Sequence, residues 1–193
     1  MPLLLETIKI EDGTVYNLPY HQKRCNESRK ALFSSKNILT LADYIDPPIK
    51  GLYRCRIVYD RNIHSVKYIP YEAKNIESLR IIPAAIDYSH KFADREALND
   101  LLKKRQNCDE IIIEKAGFLT DTTISNIAFY DGEEWFTPEK PLLEGTMRAK
   151  LLASNFLKTG KIRKSDLKHY THVALINAMI GFKVLNTDPA QIR

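Results

Sequence analysis

Short β-rich runs that meet at tight turns are the feature that most constrains the fold of this chain. Residues 3–18 end their first run at Asp12-Gly13, residues 51–71 hold two runs around Arg61-Asn62, and the run 124–130 turns at Asp131-Gly132. Such turns join neighbouring antiparallel strands. The sequence therefore predicts hairpins in both halves of the chain, with further strands near residues 79–82 and 110–114.

Helical patterns fall between these runs. Pro19 opens a helix through residue 33, at a first-turn position where a missing N–H costs nothing. A short helix is expected within residues 38–46, another begins after Asp94 as its N-cap, and another starts near Gly145. We therefore predict an α+β fold.

The pattern changes along the chain in a way that suggests two lobes. We expect a small N-terminal lobe at residues 1–85, a link at 86–91 and a larger lobe at 92–193. A chain of 193 residues with 44% hydrophobic residues is long enough to bury a real core. The sequence contains no internal repeat.

Charge and cysteine usage limit the function classes. The formal net charge is +5, an excess that attracts anions without choosing between a small molecule and a nucleic acid. The basic stretch 158–168 contains no aromatic residue for base stacking, so no nucleic-acid partner is expected. His169 and His172 have no third ligand nearby, so no metal is expected either.

The cellular compartment is predicted from sequence features that are missing. Three separated cysteines form no CxxC pair and are typical of reduced thiols in a cytoplasmic protein. Glu6 breaks the first apolar run where a signal peptide would continue, and residues 173–182 are too few to cross a bilayer. We expect a cytoplasmic protein without a membrane partner.

Four pieces of sequence together resemble a known family. Residues 117–127, GFLTDTTISNI, resemble the signature of the class IV aminotransferases, the pyridoxal-phosphate enzymes of fold type IV. In the same order as in that family stand LETI at 5–8 with HQKR at 21–24, then Lys91, and finally LLEGTMR at 142–148. The resemblance implies a small N-terminal α/β lobe, a larger C-terminal lobe with an antiparallel sheet or barrel, and pyridoxal 5′-phosphate as cofactor.

The resemblance also implies roles for two reactive groups. Lys91 would hold the cofactor as a Schiff base and act as general base, because a deprotonated amine can do both. Asp121 stands where the family usually has glutamate and would keep the ring nitrogen protonated.

The cofactor phosphate needs hydrogen-bond donors, and a helix N-terminus supplies them. The resemblance implies main-chain N–H bonds from the turn at Gly145, Thr146 and Met147, with a charged contact from Arg24. The remaining predicted site residues are polar and would line the cofactor or substrate: Ser125, Asn126 and Asn177.

Within the family, the chain most resembles the aminodeoxychorismate lyases, which implies cleavage of 4-amino-4-deoxychorismate to 4-aminobenzoate and pyruvate. This substrate is a small anion, and Arg54 and Arg56, two apart on a predicted strand, are candidates to bind its carboxylates. A homodimer is expected, with aminodeoxychorismate synthase as a further possible partner. Two alternatives remain open: a class IV amino-acid aminotransferase, and a basic binding protein that keeps the fold without catalysis.

Overall fold

The computed structural model describes residues 1–193, which divide into two compact units. The first unit comprises Met1–Ala73 and His90–Asp94, and the second comprises Lys74–Ser89 and Arg95–Arg193. The predicted strand near residues 79–82 therefore belongs to the second unit, whereas the sequence pattern had placed it in the N-terminal lobe.

The first unit is a four-stranded antiparallel sheet with one long helix. The sheet order is β2-β1-β3-β4, which confirms the two predicted hairpins. Its elements are β1 (Leu4–Glu11), β2 (Thr14–Val15), α1 (Leu18–Phe33), a 3₁₀ turn (Leu41–Tyr44), β3 (Leu52–Tyr59) and β4 (Ile63–Pro70).

Local chemistry accounts for these elements. Asp12 and Gly13 both have positive φ, 47° and 77°, as a two-residue hairpin loop requires. Helix α1 has its proline in the first turn and ends at Ser34, whose left-handed conformation returns its N–H to the last turn. Alternate residues of β1 and β3 pack with the buried face of α1 in one apolar core.

The second unit is built on a larger mixed sheet. Strand order along it is β10-β9-β8-β7-β6-β5, and β11 pairs with β8 and β12. Its elements are β5 (Leu79–Pro83), α2 (Glu96–Lys103), β6 (Glu110–Lys115), β7 (Phe118–Thr122), β8 (Asn126–Tyr130), β9 (Trp135–Pro138), α3 (Thr146–Ala153), β10 (Leu157–Gly160), a 3₁₀ turn (Lys164–His169), β11 (His172–Asn177), β12 (Gly181–Val184) and a last 3₁₀ turn (Pro189–Gln191).

The predicted antiparallel character holds for most of this sheet and fails at its two ends. β5 pairs parallel with β6, and β9 pairs parallel with β10. Parallel neighbours need a crossover connection, which α2 and α3 provide. Because β5 and β10, at the two ends of the strand order, do not pair with each other, the sheet is not a closed barrel.

The prediction that Asp94 caps α2 is wrong. The helix begins after Arg95, which is its N-cap and makes no side-chain capping hydrogen bond. The reason lies in the residues before it: Phe92 bridges Leu4 and the Ala93 N–H donates to the Leu3 carbonyl at 2.8 Å, so β1 holds this segment extended. None of the helices is long and apolar enough to cross a membrane.

Candidate functional site

Lys91 is held in the first unit by the first strand. The Leu5 N–H donates to the Lys91 carbonyl at 2.9 Å, beside the bridge between Leu4 and Phe92. The segment around Lys91 thus runs next to β1 although Lys91 lies 86 positions after Leu5 in the sequence. Lys91 is half-buried, and this hydrogen bond fixes its backbone.

Arg24, on α1, is bound by a fully buried carboxylate that sequence analysis did not single out. Its Nε and Nη2 donate to Oε1 and Oε2 of Glu6 at 2.9 and 2.5 Å. His21, one turn earlier on the same helix face, has Nδ1 2.6 Å from Oε2 of the same carboxylate. The signal in the sequence is a single acidic residue at a core-facing position of an apolar strand.

The charges of this cluster follow from burial and pairing. Burial alone would raise the pKa of Glu6, but the Arg24 charge and the His21 hydrogen bond outweigh it and hold that pKa at about 2. Burial lowers the pKa of His21, the hydrogen bond that His21 donates to Glu6 and the Glu6 charge oppose this, and the nearby charges of Arg24 and Lys91 lower the pKa further. At neutral pH the cluster therefore contains an ionised Glu6, a cationic Arg24 and a neutral His21.

Asp121 lies in the second unit, at the end of β7, and is only 4% exposed. Its Oδ1 accepts from Nδ2 of Asn126 at 2.8 Å, and its Oδ2 accepts from the Leu143 N–H at 2.9 Å. Burial raises the pKa of Asp121 to about 7 despite these hydrogen bonds. A cation placed against this carboxyl would favour its ionised form.

Asn126 connects Asp121 to the start of α3. The two residues are direct cross-strand partners of β7 and β8, and Asn126 also donates to the Leu143 carbonyl at 2.8 Å. A Cβ built on Gly145 would collide with Oδ1 of Asn126, so the close approach requires glycine. The structure thus brings the predicted residues Asp121, Asn126 and Gly145 together.

The predicted turn at residues 145–147 is confirmed as a helix start. Gly145 is the N-cap of α3, and Thr146, the first helical residue, is buried. N–H groups in the first turn of a helix have no acceptor within the helix. The Met147 side chain packs into an apolar cluster, and Arg148 braces the turn through Glu144, at 2.7 Å, and the Pro138 carbonyl.

Ser125 and Asn177 contact each other. Nδ2 of Asn177 donates to Oγ of Ser125 at 2.9 Å, and its Oδ1 accepts from the N–H groups of Met179 and Ile180. Asn177 therefore closes the turn between β11 and β12 while tying it to the residue before β8. This contact gives the half-buried polar residue at the end of that apolar run its partner.

Arg54 and Arg56 point to the same face of β3, as predicted. In the antiparallel register they lie opposite Lys9 and Thr7 of β1, and the alternate residues Cys55 and Ile57 belong to the core face. Both arginines are half-buried, and Nε of Arg54 is buried without a hydrogen-bond acceptor. A half-buried guanidinium with an unsatisfied donor is suited to bind an anion.

The comparisons with known proteins place the chain in a family. The family model for amino-transferase class IV matches residues 3–184. The chain therefore belongs to the class IV aminotransferases, the pyridoxal-phosphate enzymes of fold type IV, as its motifs predicted.

Individual relatives are similar over nearly their whole length. A crystal structure from Haemophilus somnus 129PT, described as a "putative 4-amino-4-deoxychorismate lyase", is 40% identical with a TM-score of 0.87, over 94% of this chain and 98% of that one. An uncharacterized protein of Haemophilus influenzae is 35% identical over 92% of this chain and 98% of its own length. A Schizosaccharomyces pombe protein named "Putative aminodeoxychorismate lyase" is 26% identical over 91% of this chain and 85% of its own length.

Proposed function

We propose that this protein is a pyridoxal-phosphate-dependent lyase that converts 4-amino-4-deoxychorismate to 4-aminobenzoate and pyruvate. The observation that carries the proposal is the 40% identity and TM-score of 0.87 to the Haemophilus somnus structure described as such a lyase. The weaker likeness to the fission-yeast protein agrees with it. A class IV amino-acid aminotransferase would use the same cofactor residues and is the alternative to be separated by experiment.

The side chains of each unit fit the cofactor. In the second unit, burial raises the pKa of Asp121 to about 7 although its hydrogen bonds and the Arg148 charge lower it, and a protonated ring nitrogen would further favour the ionised carboxylate. The α3 N-terminus beside it offers N–H groups and a positive dipole end to a phosphate. In the first unit, Arg24 supplies a fixed guanidinium and Lys91 supplies an amine.

We assign each of these residues a role in the reaction. Lys91 attaches the cofactor through Nζ, and Asp121 keeps the ring nitrogen protonated. Arg24 and the N–H groups of Thr146 and Met147 bind the phosphate. Bound pyridoxal phosphate supplies an electron-withdrawing ring that stabilises negative charge on the substrate carbon bearing the amine.

The proton transfer falls to Lys91. Nζ of Lys91, when it is not holding the cofactor, would take the proton from the amine-bearing carbon of the substrate. Loss of this proton, with cleavage of the bond between the ring carbon and the ether oxygen, would release enolpyruvate and leave an aromatic ring, which favours the products. Nζ of Lys91 can then return the proton as pyruvate forms.

Product analysis separates the two reactions. Purified protein with pyridoxal phosphate is expected to release pyruvate and 4-aminobenzoate from 4-amino-4-deoxychorismate without any 2-oxo acid. Amino transfer from alanine, glutamate or branched-chain donors that depends on a 2-oxo acid acceptor, with no lyase products, would establish the aminotransferase instead. Failure to bind pyridoxal phosphate would leave only a binding protein.

Arg54 and Arg56 are proposed to bind the substrate carboxylates. Arg54→Ala and Arg56→Ala should each raise KM about tenfold or more, because a lost charge-assisted contact costs about 1.5–3 kcal/mol. Lys30→Ala, which removes the same charge from the exposed side of α1, is the matched control and should leave KM unchanged. An unchanged KM in both arginine variants would remove them from the substrate site.

The oligomeric state is a separate proposal that rests on the family resemblance. We expect a homodimer, and size-exclusion chromatography with light scattering tests it. A monomer mass across the concentrations used for the assay would contradict it.

A further inference from the structure

Glu6 is a charged residue that the proposed reaction does not use. It occupies a fully buried position on β1, on the strand face that also buries Leu4, Ile8 and Ile10. A buried carboxylate is strongly destabilising unless it is paired and hydrogen-bonded. The contacts that compensate this cost indicate what the residue does.

These contacts hold Arg24 in one orientation. Oε1 of Glu6 accepts from Nε of Arg24 and Oε2 accepts from Nη2, at 2.9 and 2.5 Å, so two parallel bonds define the guanidinium plane. Nδ1 of His21 lies 2.6 Å from Oε2 and prevents the carboxylate from rotating away. Each of the three side chains thus restricts the other two.

A second arginine of α1 shows what a purely structural role looks like. Arg29 is 1% exposed, and its guanidinium donates to the carbonyls of Arg61 and Asn37 and to side-chain amide oxygens. Arg24 instead has a carboxylate partner, and 12% of its side chain is exposed. Arg29 is sealed inside the unit, whereas part of Arg24 reaches its surface.

We propose that Glu6, together with His21, is a positioning residue that holds the Arg24 guanidinium in the orientation that binds the cofactor phosphate. This inference rests on the proposed function, because it needs pyridoxal phosphate as the ligand. The strand that carries Glu6 also fixes the Lys91 backbone through Leu5, so β1 positions both cofactor-binding groups of the first unit.

The variant Glu6→Gln tests this with little change of shape. Whichever way the amide is turned, its NH₂ group faces a donor of Arg24, so one of the two parallel bonds is lost. We compare the Kd of pyridoxal 5′-phosphate with that of pyridoxal, which lacks the phosphate, by absorbance titration of cofactor-free protein. A merely structural defect would weaken both ligands alike.

The expected result is specific to the phosphate and depends on Arg24. Arg24→Gln and Glu6→Gln should each raise the Kd of pyridoxal phosphate by about tenfold or more and leave that of pyridoxal unchanged. In the Arg24→Gln background, Glu6→Gln should have no further effect, since the group it positions is gone. Arg29→Lys is the matched control and should alter neither Kd.

Opposite outcomes overturn the inference. It fails if Glu6→Gln weakens both ligands equally, or if its effect adds fully to that of Arg24→Gln. Should Glu6→Gln not fold, His21→Gln serves in its place, and an unchanged pyridoxal-phosphate Kd there counts against the inference. A wild-type protein that binds neither aldehyde refutes the proposed function itself, whereas wild-type binding unaffected by Arg24→Gln or Glu6→Gln refutes only the positioning role.

Discussion

The buried carboxyl of Asp121 should make the cofactor-free protein less stable as pH rises. Its pKa is raised from 3.8 to about 7 in the folded protein, so the native state binds this proton more tightly than the unfolded chain does. The free energy of unfolding must then fall between pH 4 and pH 7. A shift of about 3 pH units at 1.36 kcal/mol each corresponds to about 4 kcal/mol.

Asp121→Asn removes this group and therefore its pH dependence. From pH 4 to pH 8 the wild type should lose about 4 kcal/mol of unfolding free energy relative to the variant, which has no carboxyl to ionise at this position. Urea denaturation of both proteins across this range measures it. Taking the difference cancels the titration of His21 and of every other shared group.

Asp131→Asn is the matched control. Backbone N–H groups of Glu134 and Glu133 lower the pKa of Asp131, so its contribution to stability is lost only below pH 4. The difference in unfolding free energy between Asp131→Asn and the wild type should not change from pH 4 to pH 8. A flat curve for Asp121→Asn as well would refute the raised pKa.

Pyridoxal phosphate at pH 8 should stabilise the wild type more than Asp121→Asn, because only the wild type offers its ring nitrogen a carboxylate.

Three further substitutions test single residues. Lys91→Ala should abolish activity. It should also abolish the mass increase that the protein shows when borohydride reduces its bond to pyridoxal phosphate, and a mass increase retained in the variant would contradict the role of Lys91. Gly145→Ala should cost about 1–3 kcal/mol and weaken pyridoxal-phosphate binding, because the new Cβ meets Asn126. Gly160→Ala is its control in thermal melts, since its Cβ would lie an ordinary 3.5 Å from Phe136. Arg29→Ala should cost about 3 kcal/mol in urea melts, as buried carbonyls lose their donors, without changing cofactor affinity.

Local signals predicted most elements of the fold. The Asp12-Gly13 loop and the proline at the start of α1 act within a few residues, so their effects were visible in the sequence. Pairing between distant segments was not visible. The parallel pair β5 and β6 depends on a crossover through α2. The segment at Phe92 is extended because it bridges Leu4, and α2 therefore begins later in the chain than its sequence predicts.

The candidate site divides in the same way. Its residue types and their order along the chain, from Arg24 through Lys91 and Asp121 to Gly145, were predicted from the sequence because the family motifs are contiguous strings. The partners that tune these groups were not. Asn126 reaches Asp121 only because β7 and β8 pair at that position.

The sequence by itself determined the hairpins and the starts of α1 and α3, because each depends on neighbours in the chain, and its family motifs predict which amine and carboxyl react. Only the tertiary structure decided that a strand residue, Glu6, would orient Arg24 on a helix and that the same strand would fix Lys91. Those contacts join residues far apart in sequence, and they form only when β1 is packed against α1 and paired with residues 91–93.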